Sequence, residues 1–382
     1  GMSTAQRAVE HGAFDYLTKP LDPERFETSI ARAVVAHRAA VAKRHALDSG
    51  VRAKAIRSGG RSLEGREQLA PGEILAGRYR ILGTLGAGGM GTVYAAERQD
   101  LARMPVALKV LHPELAKRKD ATLRFRREAE VVASLHHPNI VNVLDFESIE
   151  DDVTFLVMEL LRGDTLSAAI AHDPPFSAER ASFIVAQVLS ALAAAHATRI
   201  VHRDLKPDNV YLTTMSNIGD LVKVLDFGIA KLQTEPIDTK LTQTGTILGT
   251  PAYMAPEYAR GEAAGVLGDI YAVGCVLYEM LAKEPPFTGA NYNALIFAIL
   301  DKAPKPLAEL RPDLPPELVA IVETAMAKDP KDRFQSADAM QEALTPWLPP
   351  PSIPSMRPID SRRIENAPTE VALPSTPPSA RK

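Results

Sequence analysis

The stretch His202-Arg203-Asp204-Leu205-Lys206-Pro207-Asp208-Asn209 constrains this chain more than any other feature. Polar and ionisable side chains cluster there in a loop between apolar segments. A second strand-flanked acid follows after a short hairpin, in Val224-Leu225-Asp226-Phe227-Gly228. A solvated loop could contain any one of these residues. It would not be expected to hold them all at this spacing together with the second motif, so the pattern points to chemistry rather than to architecture.

Earlier in the chain, Gly86-Ala87-Gly88-Gly89-Met90-Gly91-Thr92-Val93 carries glycines at a spacing shared by dinucleotide-binding folds and by ordinary turns. A dinucleotide motif would open a helix, whereas Thr92 to Glu97 alternates and is β-prone. The pattern predicts two strands joined by a glycine turn. That is either a plain hairpin or a flap whose backbone N–H groups close over phosphates, an approach glycine permits because no Cβ intervenes. In Val106-Ala107-Leu108-Lys109-Val110 a lysine interrupts an apolar strand. It is either an edge residue facing solvent or a buried ammonium, and burial is costly without an anionic partner. Glu128 is the candidate partner. Helical spacing sets it on one face with Phe125 and Val132, while Glu130 falls off that face.

Taken in order from Tyr79 to Trp347, these motifs resemble the eukaryotic-like (Hanks-type) protein kinase superfamily, in the form found in bacterial serine/threonine kinases. The wording from Leu85 to Gly91 and from Asp269 to Gly274 is of the bacterial type. The resemblance implies an α+β, bilobal fold: a small antiparallel-sheet lobe with one long helix, then a large mainly helical lobe, with ATP between them. It implies that Leu85, Gly86, Ala87, Gly88, Gly89, Gly91 and Val93 cover the nucleotide. Lys109, held by Glu128, would pair with the α/β-phosphates. Asp204 would orient the substrate hydroxyl and accept its proton, and Lys206 would neutralise charge on the γ-phosphate. Asn209 and Asp226 would supply oxygen ligands to Mg²⁺, with Mn²⁺ as an alternative. Ala107, Asp208 and Leu212 are further nucleotide-site residues on the same resemblance.

The segment Phe155 to Leu161 is a plain core strand or, on the resemblance, the hinge between lobes. Met158 would then stand behind adenine, and backbone groups of Glu159 and Leu161 would bond its edge. Gly249 to Glu257 resembles the segment that closes an activation loop. Glu257 is expected to pair with Arg333 in a buried ion pair, and Asp269 to brace the catalytic-loop backbone. Lys206-Pro207 matches serine/threonine rather than tyrosine kinases, and so does Thr250, expected to contact Asp204 and Lys206. Arg203 before Asp204 resembles kinases switched by a phosphate in the activation loop. Of Thr239, Thr242, Thr244 and Thr246, the expected autophosphorylation sites are Thr242 and Thr244, modified within a transient homodimer. Two other readings compete: a pseudokinase scaffold and an output module of two-component signalling. Pseudokinases typically lose the counterparts of Lys109, Asp204 or Asp226, and all three are here.

Composition divides the chain into residues 1–47, a basic Gly/Ser-rich linker at 48–72, a kinase domain at 73–348 and a Pro-rich tail at 349–382. Ala8 to Pro20 resembles the last third of a response-regulator receiver, with Lys19-Pro20 at the final strand end. The phosphoacceptor aspartate is absent, so the piece is expected to be a truncation or a vestige. Gly1 ahead of Met2 reads as a tag remnant or a fragment of something longer. The tail reads as disordered, and phosphorylated Thr369 would offer phosphothreonine-reading partners a site. A net charge of -3 over 382 residues supplies no basic surplus for nucleic acid. A single cysteine, Cys275, permits no intramolecular disulfide, as in a reducing cytoplasm. No segment reads as long enough to cross a bilayer, no signal-peptide layout opens the chain, and Phe183 to Ala197 and Ile270 to Ala282 read as buried helices.

Overall fold

Alternation of apolar with small or polar residues sets the first part of the chain into strands. The structure, a computed structural model, describes residues 68–100, 103–149, 153–215, 219–227, 251–263 and 265–348. The receiver-like stretch, most of the linker, the activation-loop threonines, Gly228, Gly249, Thr250 and the tail lie outside the described residues. Strands β1 (Ile74–Leu75), β2 (Tyr79–Ala87), β3 (Gly91–Arg98), β4 (Met104–Leu111), β5 (Val143–Ile149) and β6 (Val153–Glu159) form one sheet in the order β1-β2-β3-β4-β6-β5. All its pairings are antiparallel.

Strand β4 shows how a period of two sorts side chains. Val106, Leu108 and Val110 join Tyr79, Ile81, Phe155 and Val157 in one core. Ala107, Lys109 and Leu111 point the other way, where Leu111 and Leu156 pack against Phe125 and Ala129. Those two residues belong to α2 (Lys119–Ser134), which follows the single turn α1 (Pro113–Ala116). The buried positions of α2 are Ala121, Phe125, Glu128, Ala129 and Val132, one stripe at helical spacing. The linker ends earlier than its composition suggests: Leu69 is buried, its N–H donates to the Tyr94 hydroxyl at 3.1 Å, and the Gly72 N–H donates to the Ile81 carbonyl at 2.8 Å.

A second unit comprises residues 137–140 and the described residues from Gly163 onward. It contains a three-stranded sheet of β7 (Gly163–Thr165), β8 (Val210–Met215) and β9 (Gly219–Val224). Its helices are α3 (Leu166–His172), α4 (Ala178–Ala197), α5 (Pro256–Ala259), α6 (Val266–Ala282), α7 (Tyr292–Asp301), α8 (Leu307–Leu310), α9 (Pro316–Ala325) and α10 (Ala337–Leu344). Side chains of Thr165, Ser177, Asn291 and Ser336 accept from first-turn N–H groups of α3, α4, α7 and α10, so local sequence sets where these helices begin. Helix α6 is buried from Asp269 to Tyr278 without a break, as expected of a core helix. Because Ser177 caps α4 ahead of Phe183, that helix reaches 20 residues and is by length and composition apolar enough to cross a membrane, contrary to the sequence expectation. More than half of that stretch is buried inside the protein, with Ile184, Val188 and Leu192 fully enclosed.

Glu257, on α5, and Arg333 form the expected buried ion pair, bidentate at 2.8 and 2.7 Å. Arg333 also donates to the Ala327 and Leu267 carbonyls at 2.8 and 2.9 Å and lies over the Tyr271 ring. With every acceptor in place, removing one partner strands a charge inside. Glu257→Ala is therefore expected to cost about 3–5 kcal/mol of stability in denaturant titrations. A Cβ at Gly91 would collide with the Val110 carbonyl oxygen, whereas one at Gly89 would meet nothing within 4 Å. Gly91→Ala should lose about 1–3 kcal/mol, and Gly89→Ala should stay within about 0.5 kcal/mol of the parent.

Candidate active site

In the sheet unit, register gathers several of the residues singled out by sequence. Val93 pairs with Lys109, Ala95 with Ala107, Ala107 with Met158 and Lys109 with Leu156. Since directly paired residues share a face, Val93, Ala107, Lys109 and Met158 lie on one side of the sheet, the side that α2 covers. There the Lys109 Nζ stands 3.7 Å from Glu128 Oε1, with both side chains largely buried. Glu130 is exposed and pairs with Arg126 instead. The glycine segment is a β2–β3 hairpin whose tip is closed by the Gly88 N–H on the Gly91 carbonyl at 2.9 Å. His112 Nε2 lies 2.9 Å from the Gly88 carbonyl. A β-irregularity between Thr84 and Gly86 leaves Leu85 without a cross-strand partner and 56% exposed. Added Cβ atoms at Gly86 and Gly89 would meet nothing within 4 Å. Of the hairpin glycines Gly91 is the one the sheet demands; Gly86 and Gly89 have open space where a Cβ would stand. Glu159 closes β6, its N–H donating to the Asn142 carbonyl at 3.0 Å, and half-buried Leu161 follows it.

In the helical unit, His202 to Asn209 forms a loop held from several sides. Asp269 accepts the His202 N–H at 2.8 Å and the Arg203 N–H at 2.9 Å, and His196 Nε2 lies 2.8 Å from the same carboxylate. These contacts hold Arg203 at φ 64°, a left-handed conformation that costs a non-glycine residue roughly 1–3 kcal/mol. The Lys206 Nζ lies 3.5 Å from Asp204 Oδ2. Asn209 Nδ2 donates to the Asp204 carbonyl at 2.8 Å, and the Asn209 carbonyl accepts the Leu225 N–H at 2.8 Å, which ties the loop to the segment entering Asp226. Asp226 is itself left-handed, at φ 46°. Leu212 is buried in β8, whereas Asp208 is exposed.

The donor set suits a hard divalent cation. The Asn209 amide nitrogen is committed to the Asp204 carbonyl, which leaves its oxygen as the ligand atom, and Asp226 offers a carboxylate. Among the described residues no cluster of three His, Cys, Asp or Glu side chains could hold a metal by itself. A pair of oxygen ligands completed by phosphate oxygens is the usual arrangement for Mg²⁺. Two contributors escaped the sequence reading. Tyr253 donates to Glu279 at 2.6 Å, and burial pushes the Glu279 carboxyl up. His202, noted only as part of the motif, is fully buried, lies tilted against the Phe227 ring with centroids 4.7 Å apart and has Nε2 3.0 Å from the Leu225 carbonyl. Its Nδ1 accepts the Asp204 N–H at 3.3 Å, so the ring is the neutral Nε2–H tautomer, bridging both acid-bearing loops.

Burial lowers the His202 pKa. The unfolded chain binds a proton there below about pH 6.5 while the folded chain resists it, so this contribution is complete above that pH and is lost as pH falls. Stability should decline below pH 6.5 with a component of at most about 1.4 kcal/mol per pH unit from this group. His202→Leu should be less stable at pH 7.5 yet show a shallower loss between pH 6.5 and 5. Denaturant midpoints with identical pH slopes for the two proteins would remove His202 from the account.

Residues 79–347 match the family described as protein kinase domain. Among curated proteins, serine/threonine-protein kinase pkn3 of Myxococcus xanthus is 39% identical over 276 residues, covering 72% of this chain and 50% of that protein. Serine/threonine-protein kinase PrkC of Bacillus subtilis is 40% identical over 270 residues, covering 71% of this chain and 40% of that protein. The chain thus spans half or less of the length of these relatives. Among solved structures, the Mycobacterium tuberculosis PknI kinase domain is similar with a TM-score of 0.57 and 29% identity, covering 73% of this chain and 100% of that one. Rad53 1-466 in complex with AMP-PNP gives a TM-score of 0.57 at 28% identity, covering 71% and 65%. An antiparallel-sheet unit followed by a helical one is the bilobal fold of these neighbours, and with the family matched across most of its length the chain belongs to the Hanks-type protein kinases.

Proposed function

We propose that this chain transfers the γ-phosphate of ATP to serine and threonine hydroxyls of proteins, as an active kinase in signal transduction. The observation that carries the reading is the organised loop in which the Asp204 carboxylate, the Lys206 ammonium and the Asn209 amide are oriented by Asp269 and His202 before any substrate arrives. Phosphoryl transfer asks for positioning and charge neutralisation more than for covalent chemistry. In this reading the exposed edge of Asp204 orients the acceptor hydroxyl and takes its proton, and Lys206 stabilises charge on the phosphoryl group in flight. Lys109, steadied by Glu128, holds the α/β-phosphates under the glycine hairpin. The adenine would lie against Val93, Ala107, Met158 and Leu212, with the Glu159 carbonyl and Leu161 N–H at its edge.

Members of this family use ATP with a divalent metal. Here Asn209 and Asp226 would hold Mg²⁺, or Mn²⁺ in its place, and the ion would neutralise phosphate charge. The reading requires Lys109 and Asp204, each described within its own unit, to meet around one nucleotide. Among the described residues Arg203 Nε is buried without a hydrogen-bond partner. That supports a phosphothreonine as its partner, with Thr242 and Thr244 as the acceptors. The presence of Lys109, Asp204 and Asp226 together weighs against a scaffold that binds nucleotide without using it.

Radiolabelled ATP separates these readings. Asp204→Asn should keep nucleotide binding but lose about 10²–10⁴-fold in phosphoryl transfer, and transfer at the parental rate would end the assignment. Replacing Thr242 and Thr244 together by alanine should lower transfer at least about tenfold, the equivalent of one charge-assisted hydrogen bond. Mass spectrometry of active protein should find phosphate on one of the two.

A further inference from the structure

Two surface cavities of the helical unit adjoin at Leu348. One, of about 240 Å³, is lined by Phe183, Gln187 and Ser190 from one stripe of α4, together with Asn139, Gln341 and Leu348. The other, of about 310 Å³, is lined by Asp338, Gln341, Glu342, Thr345 and Leu348. Gln341 and Leu348 belong to both, so the cavities form one groove along α4 and α10. Leu348 sits at φ -78° and ψ 142°, the polyproline conformation, and Pro349, Pro350 and Pro351 come next. Leu348 is therefore extended where it forms part of the groove wall.

We propose that residues 349–356 continue along this groove and occupy it, in cis, as an extended proline-rich strand. Such a strand exposes every carbonyl. Gln341, whose side chain makes no hydrogen bond among the described residues, supplies an amide donor between the two cavities. Ile353 and Met356 supply apolar side chains for Phe183 and Leu348. The groove also reaches inward. Asn139 donates to Gln187 Oε1 and to the Val222 carbonyl, both at 3.0 Å, and its own carbonyl accepts the Val224 N–H at 2.8 Å. A strand seated there braces β9, which leads into Asp226. The tail thus serves as an internal ligand of its own helical unit.

Disulfide trapping in the full chain tests this. The native thiol, Cys275, is buried and pushed up to about 12, so engineered thiols react alone. Gln341→Cys combined with Ser352→Cys should close an intramolecular disulfide at least about tenfold faster than Ala339→Cys with Ser352→Cys. The latter pair has nearly the same tether but starts from a position on α10 outside the groove. Equal rates for the two pairs would overturn the proposal. Disulfide-linked dimers whose yield rises with protein concentration would overturn it too, in favour of a second copy as the occupant.

Discussion

The carboxylate of Asp269 holds a strained stretch that carries the candidate catalytic residues in place. It takes two consecutive backbone N–H groups and a histidine from α4, and is itself almost wholly buried in α6. Without an acceptor for those N–H groups, Arg203 would have no reason to remain left-handed, and the side chains of Asp204 and Lys206 would lose their common direction. The geometry attributed to the active site is thus set from beneath, by a buried residue whose carboxylate is engaged by the protein's own backbone. Helix α6 can provide this because it is buried without a break from Asp269 to Tyr278.

Two further buried ion pairs differ in their consequences. Glu257 and Arg333 meet at two points with their remaining donors satisfied, as in a structural joint. Lys109 and Glu128 meet at a single point, 3.7 Å apart. The difference matches the roles proposed for them. A joint gains from saturation, whereas a phosphate-binding lysine has to be positioned for its ligand.

Much of this was legible in the sequence. A lysine within an alternating strand had to point toward a helix if the sheet was covered on that side, and helical spacing chose Glu128 over Glu130. Glycines before a β-prone run marked the hairpin, and the loop motifs marked where the acids would gather. What escaped has physical reasons. Arg203 and Asp226 carry nothing in their identity that announces a positive φ. The tautomer of His202 depends on partners on both sides of it, one of them 23 residues away. Leu69 sits in a basic, glycine-rich stretch whose composition masks a single buried side chain. The contact between Asn139 and Val222 bridges 83 residues, beyond any local pattern.

The placement of Lys109 on an interior strand also guards the assembly of the sheet. Strand β4 is flanked by β3 and β6, and its two faces enter two different hydrophobic clusters. A slip of one residue would exchange those faces and thrust the ammonium among Tyr79, Ile81 and Phe155, where the nearby carboxylate of Glu147 is already engaged by Arg78 and Tyr79. Misaligned versions of the sheet are thereby penalised more heavily than an all-apolar strand would allow. The same side chain that is proposed to greet the nucleotide proofreads the fold that presents it.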